Sequence, residues 1–200
     1  QAWLGSMIGL LFLVYIRKKL LLLILPFILV FVVWVSPAEV KNRLENMVSG
    51  KDFTFSQRFA LWQGGWEIFK DHPLTGCGFR CVDLISSKYP DPTGHIKKLR
   101  GMHNNFIQLA VDTGILGLTT WISIWICFFH LLYRQAKDFE LDSQKCWIIF
   151  GSVAAVIAFL TGGFFESNFY DSEVSMVLFF IMALPFSGNQ KYLKAFHKKV

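Results

Sequence analysis

Charged residues are nearly absent from five long stretches of this 200-residue sequence, in which only 17% of all residues are Asp, Glu, Lys or Arg. A soluble domain would spread its apolar residues at helical or strand periodicity, with polar residues between them. Here the hydrophobic residues, 54% of the chain, are concentrated in nearly uncharged blocks. Roughly 20 consecutive apolar residues let a helix cross the hydrocarbon core of a bilayer. The sequence therefore predicts an all-α integral membrane protein.

Several signatures of soluble enzymes are also missing. The sequence contains no P-loop, no HExxH and no GxSxG motif, which leaves ATP use and hydrolase chemistry without support. Only four cysteines are present. Cys77 and Cys81, in "CGFRC", have neither zinc nor redox-motif spacing. In an oxidising compartment they either form a disulfide or remain free thiols.

The apolar blocks are the predicted membrane spans. They are Ala2–Ile16, Leu20–Val35, Phe106–Tyr133, Cys146–Gly163 and Val174–Phe186. The first is short for a crossing, so we expect it to be truncated, with further spans upstream. The chain then divides into two transmembrane helices over residues 1–36, a large loop over 37–102, three transmembrane helices over 103–187 and a basic tail over 188–200.

Basic residues in short loops predict the orientation, because they favour the cytoplasmic side. Three basic clusters fall on one side of the five-span arrangement. They are Arg17, Lys18 and Lys19; Arg134, Lys137 and Lys145; and Lys191, Lys194, Lys198 and Lys199. The acidic loop "FFESNFYDSE" and the large loop fall on the other side. We therefore expect an external large loop and a cytoplasmic C-terminus.

The large loop contains the helical pattern "FTFSQRFALWQGGWEIFKDHPLTGCGF". Aromatic residues recur at helical spacing, and Pro73 stops the pattern, so an amphipathic helix is predicted over residues 55–71. It should lie against the membrane surface or the transmembrane bundle. Arg58 is in its first turn. It either contacts a phospholipid head group or holds a phosphate of a lipid-linked substrate through its planar guanidinium.

The stretch "RGMHNNFIQLAVDTGILGL" places polar residues at the start of the third span. The unpaired N–H groups of a helix N-terminus bind anions, and the helix dipole there favours neutral imidazole, the form of a general base. Either His103 or Asn104 can cap the helix. Asn104, Gln108 and Asp112 follow at four-residue intervals, and this polar face should line an interior or a cleft. The alternative is a histidine lying among lipid head groups.

Acidic residues gather in the loop between the fourth and fifth spans. Glu166, Asp171 and Glu173, with Asn168, are expected at the same outer surface as His103. They can neutralise Arg58 or Arg100, orient the histidine or hold sugar hydroxyls. A dedicated divalent metal site would need more converging carboxylates, so no metal is expected.

Three segments resemble the C-terminal half of the O-antigen ligase and polymerase superfamily. They are "FSQRFALWQGGWEIFKDHPLTGCGF", "HNNFIQLAVDTGILGL" and "GFFESNFYDSEVSM", within Phe55 to Leu184. The order Arg-x-x-x-Trp, His-Pro-Leu-x-Gly-x-Gly and His-Asn before Gly-Ile-Leu-Gly is specific as a combination. The resemblance implies a polytopic bundle of the type-C glycosyltransferase kind, in the bacterial inner membrane, with a helical periplasmic loop over the site.

The implied activity is glycan transfer from undecaprenyl pyrophosphate to an acceptor sugar hydroxyl, on lipid A core in a ligase. Attack opposite the leaving group would invert the anomeric carbon. The resemblance implies no cofactor, and we expect no nucleic-acid partner, only the two glycan substrates and membrane lipids. His103 matches the general base and Arg58 the pyrophosphate-binding arginine, with Arg100 a second candidate. The supporting or acceptor-binding candidates are Asn104, Gln108, Glu166, Asn168, Asp171 and Glu173.

A second arginine of the superfamily would precede Gln1, so we expect this segment alone to be incomplete as a catalyst. Within the superfamily, an O-antigen polymerase and a protein O-oligosaccharyltransferase stay open as alternatives. A transporter would need paired charges inside the membrane, and the middles of the predicted spans have essentially none. A purely structural membrane subunit would not need polar residues at a cavity.

Overall fold

The computed structural model describes residues 2–48, 53–89, 91, 94–99, 101–137 and 144–187. These ranges are helical and contain no strand, which confirms the all-α prediction for them. The α-helices are α1 Ala2–Arg17, α2 Leu25–Val35, α3 Ala38–Val48, α4 Phe53–Asp71, α5 Val82–Ile85, α6 His95–Leu99, α7 Asn105–Ala136, α8 Gln144–Gly162 and α9 Ser172–Ala183. Short 3-10 helices cover Lys19–Leu23, Ser86–Lys88, Asn168–Tyr170 and Leu184–Phe186. Arg100 and the predicted basic tail 188–200 lie outside the described residues.

Two helices, α7 and α8, are long and apolar enough to cross a membrane. Trp3–Arg17 and Ser172–Phe186 are apolar but shorter. The predicted second span is divided into a 3-10 helix, Lys19–Leu23, and α2. Pro26 explains the break, because a proline without an N–H fits only the first turn of a helix. Of the five predicted spans, the described ranges thus contain two that meet the length and composition of a membrane helix.

Two apolar cores contain residues of α7. The first joins α7, α8 and α9 along most of the length of α7, and includes Leu109, Trp121, Trp125, Phe128, Leu132, Ile149, Val156, Phe159, Leu178 and Met182. The second joins α4, α5 and α6 to the start of α7, and includes Leu61, Ile68, Cys81, Val82, Ile96, Met102 and Val111. Because α7 contributes to both cores, its first turns are held between the large-loop helices and the rest of the bundle.

Helix α4 begins two residues before its predicted start and ends at the predicted residue, Asp71. Its packing face differs from the expected aromatic stripe. Leu61 and Ile68 are fully buried, whereas Phe59 and Trp66 are 53% and 58% exposed. The aliphatic face packs on α7. Trp62 is partly buried against the same core and donates to the carbonyl oxygen of Met102, whereas Phe59 and Trp66 remain on the outer side of the helix.

Helix α1 packs on α8 through small residues. A Cβ atom added to Gly5 would lie 2.4 Å from the carbonyl oxygen of Ala158, and one added to Gly9 would lie 2.8 Å from that of Ala154. The two backbones therefore approach as closely as in small-residue contacts between membrane helices. This contact supports α8, whose C-terminal end leads directly into the loop that contains Glu166.

A kink at Gly114 joins α7 to the loop that follows α4. Gly114 has φ 65° and ψ −166°, which interrupts the helix. The N–H groups of residues 115 and 116 donate instead to the carbonyls of Pro73 and Leu74. The freed carbonyls of residues 111 and 112 accept N–H groups from Cys77 and Gly78, at 2.9 and 3.0 Å. Two intrahelical hydrogen bonds are thus replaced by four bonds that fix this loop against α7.

Candidate active site

Asn104, rather than His103, caps α7. Its Oδ1 accepts the backbone N–H groups of Phe106 and Ile107, at 2.8 and 3.1 Å. Its Nδ2 donates to the carbonyl oxygen of Phe164, at 3.0 Å. The cap therefore satisfies the first turn of the helix and also holds the loop after α8.

Asn105 strengthens the same connection from a fully buried position. Its backbone N–H donates to the carbonyl oxygen of Gly163 at 2.7 Å, and its Oδ1 accepts the N–H of Phe169 at 3.1 Å. Its Nδ2 donates to Oδ1 of Asn168. A buried amide with all these partners fixes the loop between α8 and α9 relative to the start of α7.

His103 lies immediately before the cap and contacts Glu166. The distance from its Nδ1 to Oε1 of Glu166 is 2.7 Å. The histidine backbone has φ 46°, an uncommon left-handed conformation for a non-glycine residue. The two side chains are 32% and 47% exposed, so the pair is open to solvent on one side. The loop geometry thus turns the imidazole toward the acid and away from the helix cap.

Glu166 is held in its ionised form. The hydrogen bond from His103 is the largest cause that lowers the pKa of Glu166; burial opposes this shift, and the charges of His103 and Arg58 support it. An ionised carboxylate has no hydrogen to donate, so Nδ1 of His103 must be the donor. In the neutral imidazole, the lone pair is then on Nε2. This is the arrangement of a general base with an orienting acid.

A cavity of about 220 Å³ adjoins this pair. Its lining residues are Phe79, Arg80, Gly101, His103, Gln108, Glu166, Ser167 and Tyr170. Arg58 is close enough to this cavity for its positive charge to contribute to the lowered pKa of Glu166. The Nε atom of Arg58 is buried and has no hydrogen-bond partner within the described ranges. The geometry therefore brings a histidine, a carboxylate and arginine charge together at one end of α7.

The polar face of α7 is directed to the interior, as predicted. Gln108 is 5% exposed and Asp112 is 1% exposed. Nε2 of Gln108 donates to Asp112 at 3.1 Å, and its Oε1 accepts the N–H of Met102 at 2.9 Å. The hydroxyl of Tyr170 donates to Oδ2 of Asp112 at 2.8 Å. Burial, followed by this hydrogen bond, raises the pKa of Tyr170, which keeps its hydroxyl protonated as a donor.

The remaining predicted residues have different positions. Asp171 is the N-cap of α9, because its side chain accepts the N–H groups of Glu173 and Val174. Glu173 is exposed in the first turn of that helix. Asn168 is partly buried beside Asn105. Of the three acids expected at this surface, Glu166 alone lines the cavity. Arg100 lies outside the described residues, so its role stays a prediction.

Cys77 and Cys81 form a disulfide, which decides between the two alternatives left open by their spacing. The described part of the chain contains one group of potential metal ligands, these cysteines with Asp112. Because the sulfur atoms are bonded to each other, neither is available as a thiolate ligand. The disulfide instead closes the turn that carries Arg80.

Sequence reasoning missed several residues of this site, among them Phe79, Arg80, Asn105 and Tyr170. A weak signal for Arg80 exists, since it follows the glycine turn of the His-Pro-Leu-x-Gly-x-Gly segment. Tyr170 lies in the same acidic loop as Glu166. Neither signal indicates which way these side chains point. Their positions depend on how two distant loops pack on α7.

These features define a helical bundle with apolar, span-length helices and a polar cavity at one end of its longest helix. The chain belongs to the O-antigen ligase family, which it matches over residues 1–122, more than half of its length. This is a family of membrane proteins of polysaccharide biosynthesis. The match includes Arg58, Arg80 and His103 and ends before Glu166.

One relative supports this assignment. The chain is 28% identical over 107 residues to the exopolysaccharide production protein ExoQ of Rhizobium meliloti (strain 1021). The aligned part covers 51% of this chain and 24% of ExoQ. This chain therefore spans about a quarter of the length of its relative.

Proposed function

We propose that this protein transfers a glycan from a lipid-linked pyrophosphate donor, undecaprenyl pyrophosphate, to an acceptor hydroxyl. The observation that carries the proposal is the 2.7 Å contact between Nδ1 of His103 and Glu166 beside a cavity. This contact leaves Nε2 of His103 free to act as a base, near the positive charge of Arg58. Family membership supports the same chemistry, since the match covers both His103 and Arg58.

The reaction begins when the acceptor hydroxyl enters the cavity. Nε2 of His103 takes the hydroxyl proton while the acceptor oxygen bonds to the anomeric carbon of the donor sugar. The bond between that carbon and the pyrophosphate oxygen breaks, and the lipid pyrophosphate leaves with the electron pair. Attack opposite the leaving group inverts the anomeric carbon. Glu166 stabilises the imidazolium that forms, and Arg58 stabilises the charge on the leaving group.

The membrane arrangement belongs to the same proposal. We assign the large loop, residues 37–102, to the periplasmic side of the bacterial inner membrane, with two helices before it and three after it, and the C-terminus to the cytoplasm. Large apolar side chains on the outer faces of α7 and α9 support a lipid environment, among them Ile126, 63% exposed, and Phe180, 66% exposed. Exposed apolar surface of this extent is typical of a membrane or partner contact.

Three acceptors are compatible with this mechanism. A ligase places the glycan on lipid A core, a polymerase places it on another lipid-linked repeat, and a protein O-oligosaccharyltransferase places it on a protein. The name of ExoQ, a protein of exopolysaccharide production, favours the polymer-forming alternative. Lipopolysaccharide gels separate the first two, because loss of a ligase leaves polymer on the lipid carrier and loss of a polymerase leaves single repeats on core.

The test replaces His103 by Asn in the full-length protein. Asn tolerates the left-handed backbone of this position but provides no base. We expect transfer from the lipid-linked donor in isolated membranes to fall by about 10²–10⁴-fold, as loss of a general base implies. His130→Asn is the matched control, because His130 is exposed on α7. Near-normal transfer by His103→Asn would exclude the proposed base.

A further inference from the structure

Arg80 is a charged residue of the cavity to which the proposed mechanism gives no role. Its segment is fixed to the start of α7 at several points. The Cys77–Cys81 disulfide closes the segment, and the N–H groups of Cys77 and Gly78 donate to α7. The backbone of Arg80 also lies close to the carboxylate of Asp112. The disulfide and the hydrogen bonds to α7 therefore fix the main chain next to this arginine.

The conformation of Arg80 also depends on these contacts. Its φ is 53°, a left-handed conformation that non-glycine residues adopt uncommonly. The ring of Phe79, the preceding residue, stacks on Tyr170 with centroids 5.6 Å apart and an interplanar angle of 14°. Such a backbone persists where its surroundings fix it, and it is found often at ligand-binding sites. Arg80 is exposed and is one of the residues that line the cavity.

The Arg80 side chain lies close enough to Asp112 for its charge to act on that carboxylate, but the two form no salt bridge. Among the residues that the structure describes, neither Arg80 nor Arg58 forms a salt bridge. The Asp112 carboxylate already accepts hydrogen bonds from Tyr170 and Gln108. A guanidinium beside a solvent-open cavity, with its backbone fixed and no salt bridge to a described residue, is suited to a bidentate anion.

We propose that Arg80 binds the pyrophosphate of the donor as a second cation, together with Arg58. This inference rests on the proposed function, because it names a contact within the same reaction. A departing pyrophosphate gains negative charge, and several prearranged cations stabilise that charge better than one. Among the described arginines, Arg80 is the one that lines the same cavity as His103.

The experiment measures binding of undecaprenyl pyrophosphate to the full-length protein in nanodiscs of zwitterionic lipid, which removes anionic head groups as competitors. Arg80→Ala and Arg80→Asn remove the charge, and Asn also tolerates the left-handed backbone. We expect Kd, and KM for the donor, to rise on the order of 10- to 100-fold, as loss of a charge-assisted contact implies. Arg80→Lys, which keeps a charge without the planar fork, should be intermediate.

Lys88→Ala is the matched control, because Lys88 is exposed outside the cavity lining, and it should bind like the wild type. His103→Asn should bind the donor normally but fail to transfer. Unchanged donor affinity in Arg80→Asn, with normal binding by the wild type, overturns the Arg80 assignment and leaves the proposed function standing. Failure of the wild type to bind undecaprenyl pyrophosphate overturns both.

Discussion

Replacement of Glu166 by Gln tests the pair on which the site depends. The change keeps the size of the side chain and removes the charge that makes Nδ1 of His103 the donor. A hydrogen bond to a charged group contributes about 1.5–3 kcal/mol. Glu166 is 47% exposed, so solvent weakens the interaction and the lower limit applies. Since about 1.4 kcal/mol corresponds to tenfold, kcat should fall about tenfold.

The assay is transfer in isolated membranes at saturating donor, with kcat and KM determined separately. KM for the donor should change little, because Glu166 contacts the base and not the pyrophosphate. Glu67→Gln is the control, since Glu67 pairs with Lys70 at an exposed position. An unchanged kcat in Glu166→Gln, with His103→Asn inactive, would show that the acid does not position the histidine.

The pH dependence of stability provides a second measurement on the same variant. The pKa of Glu166 is lower in the folded protein than its ordinary value, so its ionised form contributes to stability above the ordinary pKa of a glutamate. That contribution is lost as the pH falls through the lowered folded pKa. The difference in Tm between wild type and Glu166→Gln should therefore be constant near neutral pH and disappear in acid. A difference that persists in strong acid would contradict this origin.

Two further substitutions test the framework around the site. Gly114→Ala would place a Cβ 2.3 Å from a backbone carbonyl oxygen at φ 65°, so it should lower Tm and reduce transfer. Gly151→Ala is the control, because its Cβ would meet nothing within 4 Å, and it should leave Tm and transfer unchanged. Equal effects of the two substitutions would contradict the role of the kink. Tyr170→Phe removes the hydroxyl bonded to buried Asp112 and should destabilise by about 1–3 kcal/mol in chemical unfolding. No change in Tyr170→Phe would indicate that water replaces the hydroxyl.

Local features of the site were predictable because they depend on neighbouring residues. The helix over 55–71 and the start of α7 follow from spacing, proline and capping, and the structure differs by only two residues at one end of α4. The Asn104 cap is of this kind, since it bonds to residues two and three positions away. The roles assigned to His103 and Arg58 stay predictions, although the structure places both near Glu166.

Long-range features were not predictable from the same patterns. Three acids follow α8 with similar local sequence, and spacing alone could not select Glu166, which is 63 residues from His103. The sequence predicts one continuous span, Phe106–Tyr133, through Gly114, where the structure has a kink. The kink exists because the loop after α4 supplies hydrogen-bond partners that the helix itself gives up.

The amino-acid sequence by itself determined apolar helices of membrane-span length, membership in the O-antigen ligase family and a histidine at a helix start. These properties depend on composition and on contacts within a few residues. The tertiary structure decided which acid contacts the histidine, how the two cysteines pair and which arginine enters the cavity. These three features depend on how the 73–81 and 163–171 loops pack on α7. Hydrogen bonds between distant segments fix the positions of these side chains, and the spacing of residues along the sequence does not determine them.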